Sequence, residues 1–366
     1  MLSNRATLDH LFDEEGIDLQ RSPFLHQVPP ALGPSMDFDK VEGMLLGLAV
    51  GDALGVTTEG LLPRQRHETF GEVRDYLPNR YVDDKRGYPS DDTQLAFWTL
   101  EQLLVDGGLV PENLAARFSR GRIFGIGATV RESLANFKAG QPWYASGPKS
   151  AGNGALMRIA PVLIPHIQEP SAELWTDAVL CSMLSHNDAG STACCVAFVS
   201  MLWDLLPMTS PPEAEWWLDR FIEVAGPLEG NTRYSPRSPS VAEYCGSIHG
   251  FVGDYVGKAY KEQMPVLDAC NYWHSGAYLL ETMPSIIYIL MRHGHDPEEA
   301  IVRAVNDTRD NDTIAAVVGA AVGALHGQDA IPPRWRDNLS GRTTDRDDGR
   351  VSELIREARQ RWGSPR

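Results

Sequence analysis

Residues 41–55 read VEGMLLGLAVGDALG, and every fourth residue from Gly43 to Gly55 is a glycine. Residues 319–327, GAAVGALHG, repeat the spacing. Residues four apart share nearly one helix face, and each glycine inside a helix costs up to about 1 kcal/mol relative to alanine. Helices that simply end at glycine would explain Gly55 and Gly327 but not the interior glycines. The spacing therefore predicts two central helices whose backbones approach their neighbours closely.

Helical spacing of apolar residues continues through most of the chain, whereas alternating strand patterns are scarce. Glycine and proline separate the segments. The pattern predicts helices over residues 41–54, 93–104, 114–118, 130–137, 155–164, 175–184, 191–206, 213–224, 277–291, 297–305, 313–325 and 350–362. Such a series is typical of an all-α, compact many-helix globule.

The first 38 residues differ from the rest. Leu8, Leu11, Phe12, Ile17 and Leu19 form a short amphipathic acidic pattern, and the proline-bearing stretch QVPPALGP follows. This composition predicts a short helix and then an extended connection. We divide the chain into an N-terminal segment, residues 1–38, and one domain, residues 39–366. The N-terminal segment is either a packed or frayed terminus or an arm that docks on its own body or on a partner.

Composition excludes several classes of protein. The chain has 366 residues, with 33 Lys and Arg against 49 Asp and Glu, a net charge of -16. This charge argues against non-specific nucleic-acid binding, which needs a basic face. The N-terminus lacks the basic and apolar regions of a secretory signal, and residues 314–325 are too short an apolar stretch to cross a bilayer. Five cysteines without disulfide or metal spacing predict reduced, buried thiols. We expect a cytoplasmic protein that binds no membrane.

Two acidic motifs carry the chemistry. SDDTQ, residues 90–94, and DNDT, residues 310–313, each open an apolar helix. Ser, Asp and Thr are favoured helix N-caps, and Asp91 with Gln94 has capping-box spacing. Carboxylate and hydroxyl oxygens are also the ligands of Mg²⁺ and Mn²⁺. The residues alone leave both interpretations open.

Other motifs are weaker. An EF-hand that begins at Asp310 would need Gly and Glu where Ala315 and Ala321 stand, and no P-loop sequence occurs. The turn at residues 152–154 precedes a predicted helix and could present backbone N–H groups to a phosphate. Gly127 belongs to a weak glycine pattern, and His186 closes an apolar helix.

Taken together, the motifs resemble the ADP-ribosylglycohydrolase family. GDALG followed by Glu59, then SDDTQ, GNGALMRIAP, Ser185-His186 and DNDT occur in the family's order, between about Val41 and Trp335. The family includes the dinitrogenase-reductase-activating glycohydrolase and the hydrolases of ADP-ribosyl-arginine and ADP-ribosyl-serine. The resemblance implies an all-α fold and a hydrolase of an N-glycosidic bond to ADP-ribose.

The resemblance also assigns site residues. It implies a cleft with two divalent cations, Mg²⁺ or Mn²⁺, held by Ser90, Asp91, Asp92, Asp310, Asp312 and Thr313. Gly127, Gly152, Asn153, Gly154 and His186 are expected to bind the substrate, and Asp92 or Glu59 to act as the base. One departure stands at Thr308-Arg309, where many members have Gly-Gly. This departure affects the prediction of substrate geometry around Asp310 more than the prediction of metal binding.

We expect an ADP-ribosylated protein as the substrate, with arginine as first choice of acceptor. Serine, a nucleic-acid base or a free ADP-ribose derivative stay open. Some relatives resemble immunity proteins against ADP-ribosylating toxins. An alternative function is therefore that the N-terminal segment blocks a toxin's active site, independently of catalysis.

Overall fold

The computed structural model describes residues 3–33, 36–78 and 84–363. Within these ranges the secondary structure is helical, with isolated bridges but no strand. The first nine α-helices are α1 (Asn4–Asp13), α2 (Asp39–Gly55), α3 (Pro63–Phe70), α4 (Asp91–Asp106), α5 (Pro111–Phe118), α6 (Ala128–Lys138), α7 (Trp143–Ser146), α8 (Glu173–Met183) and α9 (Ala189–Leu205). The all-α prediction is confirmed.

The second half of the chain contributes nine further α-helices. They are α10 (Ala214–Glu229), α11 (Ile248–Phe251), α12 (Gly257–Lys261), α13 (Val266–Trp273), α14 (Leu279–His293), α15 (Pro297–Asp307), α16 (Asn311–His326), α17 (Pro333–Arg336) and α18 (Arg350–Trp362). Short 3-10 helices cover Pro23–His26, Val56–Thr58, Leu156–Arg158, Ala160–His166, Pro239–Val241 and Gln328–Ala330, and a π-helix covers Val252–Val256.

The two glycine-rich helices, α2 and α16, form the centre of the molecule and pack antiparallel against each other. A Cβ atom on Gly43 would lie 2.5 Å from the carbonyl oxygen of Gly323. One on Gly47 would overlap the carbonyl of Gly319, and one on Gly51 the carbonyl of Ala315. The predicted close approach is confirmed, because only glycine leaves room for backbone-to-backbone packing here. This register places the C-terminal end of α2 beside the N-terminal end of α16.

Helix α2 and the turn after it, Asp39–Thr58, form a 20-residue stretch that is long and apolar enough to cross a membrane. However, 83% of its apolar window is buried inside the structure. This burial is that of a core helix, and α16 covers much of it.

One predicted helix has a different geometry. Residues 155–164 form two 3-10 helices rather than an α-helix. Pro161 lies in the first turn of the second 3-10 helix and Pro165 inside it. Proline lacks the N–H that an α-helix needs, so the tighter turns follow. The segments that were not predicted as helices include α3 and α13.

The described part of the N-terminal segment lies against the body. Leu8 is fully buried and Leu11 is 3% exposed. The Asn4 amide donates to the carbonyl of Leu109 (2.9 Å) and to Asp177 (2.7 Å), and the Trp203 indole donates to the carbonyl of Pro30 (2.9 Å). The described part of the segment therefore packs on the protein's own body, which both interpretations allow.

The five cysteines are free thiols, in agreement with the sequence analysis. Four are buried, but Cys245 is exposed, so the prediction that all are buried is wrong for this residue. It lies in the long connection between α10 and α11, where no helix face covers it.

Candidate active site

Three buried aspartates meet where α2, α4 and α16 converge. Asp52 comes from the last turn of α2, Asp92 from the first turn of α4 and Asp312 from the first turn of α16. One carboxylate oxygen of each lies within 4.8 Å of the others. Their exposed fractions are 0%, 2% and 4%. Three carboxylates at this distance repel one another unless protons or a cation neutralise them.

Asp52 fixes the start of α4. Its carboxylate accepts from the backbone N–H of Ser90 (3.0 and 2.9 Å to its two oxygens), the backbone N–H of Thr93 (3.0 Å) and the Thr93 hydroxyl (2.6 Å). Burial raises the pKa of Asp52, and these hydrogen bonds oppose the rise. Asp52 therefore anchors the SDDTQ motif to the glycine-rich helix.

Asp92 supplies the observation that decides whether a cation fits. Its Oδ2 atom accepts from the Ser90 hydroxyl at 3.1 Å. Its Oδ1 atom is buried and has no hydrogen-bond partner. A buried carboxylate oxygen without a partner is costly, and an oxygen-liganded divalent cation would satisfy it. The donor set of the three aspartates therefore fits a hard divalent cation.

Ser90 caps α4, as one interpretation of SDDTQ predicts, whereas Gln94 does not form the predicted capping box. Ser90 is the N-cap of α4, and its hydroxyl accepts from the Asp92 N–H at 3.4 Å. The Asp91–Gln94 capping box is not formed. The Gln94 amide instead donates to the carbonyls of Arg122 (3.0 Å) and Thr343 (2.9 Å). Because the N-cap and the aspartate cluster occupy the same turn, capping and metal binding are compatible.

Asp92 and Asp312 of the cluster line a cleft of about 210 Å³, and Asp52 lies outside its lining. The cleft brings together eleven of the twelve residues predicted for the site: Glu59, Asp91, Asp92, Gly127, Gly152, Asn153, Gly154, His186, Asp310, Asp312 and Thr313. Ser90 is outside its lining. Asp91 is half-buried and Glu59 is exposed, so these two lie nearer the solvent side than Asp92.

Two elements hold the loop that carries Asp310. The Asn153 amide donates to Asp310 and to the hydroxyl of Thr282 (3.2 Å). The backbone N–H of Asp310 donates to the carbonyl of Ser275 at 3.0 Å. His274 and Ser275 have φ values of 84° and 47°, which are unusual for residues other than glycine. Backbone strain of this kind persists where the surroundings enforce it, and here it sets the position of Asp310.

The Thr308-Arg309 departure is accommodated without strain. Thr308 has a φ of -118° and a ψ of 163°, an extended conformation that needs no glycine. Its hydroxyl donates to the carbonyl of Ala304 at 2.6 Å. Its own carbonyl accepts from the guanidinium of Arg66 at 3.0 Å. The loop is therefore fixed by side chains.

Arg66 also joins this loop to the turn that carries Glu59. Its side chain is fully buried, and its Nε donates to the Thr58 hydroxyl at 2.9 Å. The same hydroxyl accepts from the Asn311 amide at 3.0 Å. Burial lowers the pKa of Arg66 to about 10, which leaves it charged at neutral pH, and the charge of Asp312 opposes the decrease. The Thr58 hydroxyl thus connects the buried Arg66 with Asn311, and Thr58 and Asn311 directly precede Glu59 and Asp312.

The cleft is also lined by Gly127, Gly152, Gly154 and His186, which we call the glycine wall. A Cβ on Gly154 would lie 2.9 Å from Cε1 of His186, and a Cβ on Gly152 would lie 3.3 Å from its Nε2. The histidine ring therefore packs directly on the turn at residues 152–154. Gly127 is the N-cap of α6, so the positive end of that helix also opens into the cleft.

His186 is neutral and has a defined donor. Burial and the charge of Arg158 lower its pKa to about 3. The Arg158 guanidinium can only donate, so the Ser185 hydroxyl accepts from it at 2.7 Å. The serine proton is then available for Nδ1 of His186, at 2.9 Å. This network favours the tautomer that carries the ring proton on Nε2, which lies against the glycine turn.

Asp52 and Arg66 were not predicted as site residues. Asp52 lies inside the GDALG motif. The glycine spacing could have indicated its role, because pairing of Gly55 with the start of the DNDT helix places Asp52 one turn away from that start. For Arg66 no local pattern existed, because its partners Asn306 and Thr308 are about 240 residues away in sequence.

Metal binding should depend on pH. Burial, and next the charge of Asp52, raises the pKa of Asp91 to about 7. Burial raises the pKa of Asp310 to about 6, against a hydrogen bond from Asn153. A cation must displace the protons that these groups hold below these values. For protein treated with a chelator, we expect the Mg²⁺ affinity to increase with pH by about tenfold per pH unit for each proton displaced, most steeply below pH 6, where Asp91 and Asp310 both hold a proton, and less steeply between 6 and 7.

Titration calorimetry in buffers of different ionisation enthalpy counts the protons released on Mg²⁺ binding. The Asp91→Asn variant should release about one proton fewer at pH 6.5. An affinity that does not change between pH 5.5 and 8 would contradict this account of the cluster.

Known proteins resemble this chain over most of its length. The family model described as ADP-ribosylglycohydrolase matches residues 34–364. The ADP-ribosylarginine hydrolase Tri1 of Pseudomonas putida is 26% identical over 321 residues, which cover 84% of this chain and 76% of that protein. The ADP-ribosyl-[dinitrogen reductase] glycohydrolase of Rhodospirillum rubrum is 26% identical over 84% of this chain and 92% of that protein. A solved structure titled ADP-ribosylglycohydrolase-related protein complex matches with a TM-score of 0.62 and 26% identity, over 88% of this chain and 98% of that one.

Proposed function

The chain belongs to the ADP-ribosylglycohydrolase family and is a glycosyl hydrolase that acts on ADP-ribose; we propose that it removes ADP-ribose from arginine side chains of proteins and requires divalent cations. One observation carries this proposal: the carboxylates of Asp91, Asp92, Asp310 and Asp312 line a single cleft together with the glycine wall. The carboxylates suit the reacting ribose, and the wall suits the diphosphate.

The phosphate side of this proposal rests on neutral donors. Backbone N–H groups of the first turn of α6 favour an anion. In the turn at residues 152–154, the N–H of Gly152 donates to the Ser150 hydroxyl (3.3 Å) and the N–H of Asn153 to the carbonyl of Ala277 (3.1 Å). The N–H of Gly154 is therefore the donor that we propose this turn offers to the ligand. The Nε2–H of His186 adds a donor that does not change its charge near neutral pH. Binding of the diphosphate would hold the ribose at the carboxylate end.

We propose that Asp52, Asp92 and Asp312 hold one cation, and that Asp91, Asp310 and Thr313 complete the sites of a pair, Mg²⁺ or Mn²⁺. Ser90 acts through the orientation of Asp92. Bound there, divalent cations supply Lewis-acid stabilisation of negative charge that develops on oxygen. The unpartnered Oδ1 atom of Asp92 supports this assignment.

Glu59 is the stronger candidate for the general base. Asp92 lies at the bottom of the cleft and bonds to Ser90, whereas Glu59 lies on the solvent side, where water enters. The bond between the anomeric carbon and the acceptor nitrogen breaks as water attacks that carbon. The water oxygen and one of its protons remain on the ribose, and Glu59 takes the other proton. Transfer of this proton from Glu59 to the acceptor nitrogen completes the leaving group and returns Glu59 to its ionised form. Positive charge develops on the ribose in the transition state, as in other glycosidic cleavages.

Arginine as the acceptor is supported by the acidic mouth of the cleft. Glu59 and Asp91 lie on its solvent side and are suited to a guanidinium. The Pseudomonas putida relative is named as a hydrolase of ADP-ribosylarginine. We also propose that the protein acts in immunity to an ADP-ribosylating toxin and is cytoplasmic. Toxin blocking by the N-terminal segment is not favoured, because its apolar residues Leu8 and Leu11 are buried against the protein's own body.

The direct test is release of free ADP-ribose from an arginine-ADP-ribosylated protein. We expect release with Mg²⁺ and a decrease to background with EDTA, restored when Mg²⁺ is added in excess. A serine-linked substrate run in parallel should be cleaved more slowly. Release that persists after complete chelation would contradict the cation requirement, and faster cleavage of the serine linkage would contradict the choice of acceptor.

A further inference from the structure

Asn187 connects the N-terminal segment to the candidate active site. It directly follows His186 in the sequence. Its Nδ2 donates to the carbonyl of Gly16 at 3.0 Å, and its Oδ1 accepts from the N–H of Asp18 at 3.3 Å. One side-chain amide thus satisfies two backbone groups of the N-terminal segment, as a neighbouring strand would do.

The same residue holds the glycine-rich loop. The backbone N–H of Asn187 donates to the carbonyl of Pro148 at 3.0 Å, four residues before Gly152. Asp18 also forms an ion pair with Lys149 at 2.6 Å. These two side chains are 43% and 73% exposed, so the ion pair contributes little by itself. The segment therefore contacts both parts of the ligand-binding wall: the His186 turn and the loop that leads to Gly152.

The contact region is itself firmly packed. Ile17 is 7% exposed and Leu19 is 9% exposed, and the N–H of Gln20 donates to the carbonyl of Leu228 at 2.9 Å. The segment is thus fixed on the side away from Asn187 as well. A fixed backbone on one side and a buried histidine on the other make Asn187 a rigid connection.

We propose that the N-terminal segment is a positioning element of the cleft, and that Asn187 is the positioning residue through which it keeps His186 and the glycine turn in ligand-binding geometry. The family match begins at residue 34, so residues 16–18 add this support from outside the matched region. The proposal rests on the proposed function, because it concerns binding of ADP-ribose.

The position of His186 affects ligand binding because its ring packs against the glycines without a gap. A Cβ on Gly154 would already be 2.9 Å from the ring, so a small shift of the histidine either strains this contact or opens a gap. Loss of the Asn187 amide frees the turn on one side. Ligand affinity should then decrease, whereas the aspartates of α2, α4 and α16 keep their positions.

The experiment compares Asn187→Ala with Asn4→Ala in the full chain. Both changes remove an amide that makes two hydrogen bonds between the N-terminal segment and the body. Asn4 lies in α1 and outside the cleft lining. Binding of free ADP-ribose by calorimetry should weaken about tenfold in Asn187→Ala and less than twofold in Asn4→Ala, an effect of the size expected for about two hydrogen bonds. Mg²⁺ affinity should be unchanged in both variants.

A second measurement separates positioning from general destabilisation. Coupling between two sites is reciprocal, so ADP-ribose should slow amide hydrogen exchange at residues 16–20 of the unmodified protein and not of Asn187→Ala. Equal ADP-ribose affinities in the two variants, or no ligand effect on exchange at residues 16–20, would overturn the inference. Failure of the unmodified protein to bind ADP-ribose would instead overturn the proposed function.

Discussion

Replacing Asp92 with asparagine is expected to reduce turnover by on the order of a thousandfold or more, because the cluster loses a charge and its unpartnered oxygen. The amide keeps the shape of the side chain. Its oxygen is a weaker ligand for Mg²⁺, and its NH₂ cannot approach a cation. The variant should therefore also lose most of the Mg²⁺-dependent increase in melting temperature. Release of ADP-ribose and thermal melting with and without Mg²⁺ measure both effects.

Stability distinguishes this loss of function from misfolding. In chelated protein, burial and the charges of Asp52 and Asp312 raise the pKa of Asp92 well above its usual value. Removing this carboxyl relieves repulsion, so chelated Asp92→Asn should melt at or above the temperature of the chelated unmodified protein. Asp106→Asn, at the other end of α4, is the matched control and should keep full turnover. Normal turnover of Asp92→Asn with intact Mg²⁺ binding would contradict the role given to Asp92.

The sequence allowed the acidic motifs to be found but not all of their partners. SDDTQ and DNDT are local patterns, and the cleft brings both together. Asp52 was quoted within GDALG without a role, since its function arises from the contact between α2 and α4. Arg66 and Ser275 hold the Asp310 loop through contacts distant in sequence. Local sequence patterns do not encode such contacts.

The fold was predictable where periodicity was long and unbroken. Helices α2, α4, α9 and α16 agree with the predicted ranges to within a few residues. The helix type of residues 155–164 was not predictable from periodicity, because Pro161 and Pro165 change the hydrogen-bonding pattern inside an apolar run. Helices such as α3, in the sequence PRQRHETF, have little apolar content. The buried arginine of α3, Arg66, is polar, so no hydrophobic pattern marks this helix.

The glycine spacing leads to the prediction with the largest effect on folding. Gly47→Ala should destabilise the protein by about 3 kcal/mol or more, although alanine favours a helix by up to about 1 kcal/mol. The new Cβ would overlap the carbonyl of Gly319, and Gly319 lies against the carbonyl of Gly47 in return. Both neighbours are backbone atoms, so no rotamer change can relieve the overlap. The two helices would have to separate.

Separation of α2 and α16 has a consequence for the site as well, because the same register places Asp52 beside Asp312. Gly47→Ala should therefore weaken Mg²⁺ binding, although Gly47 is not itself a proposed ligand and lies more than one helical turn before Asp52 in α2. Gly257→Ala is the matched control: it is helical, and its Cβ would meet Leu218 at an ordinary 3.5 Å. Chemical denaturation should show Gly257→Ala to be neutral or slightly stabilised. Equal stabilities of the two variants would show that α2 and α16 tolerate a wider spacing, and the glycine series would then lack the steric role inferred for it.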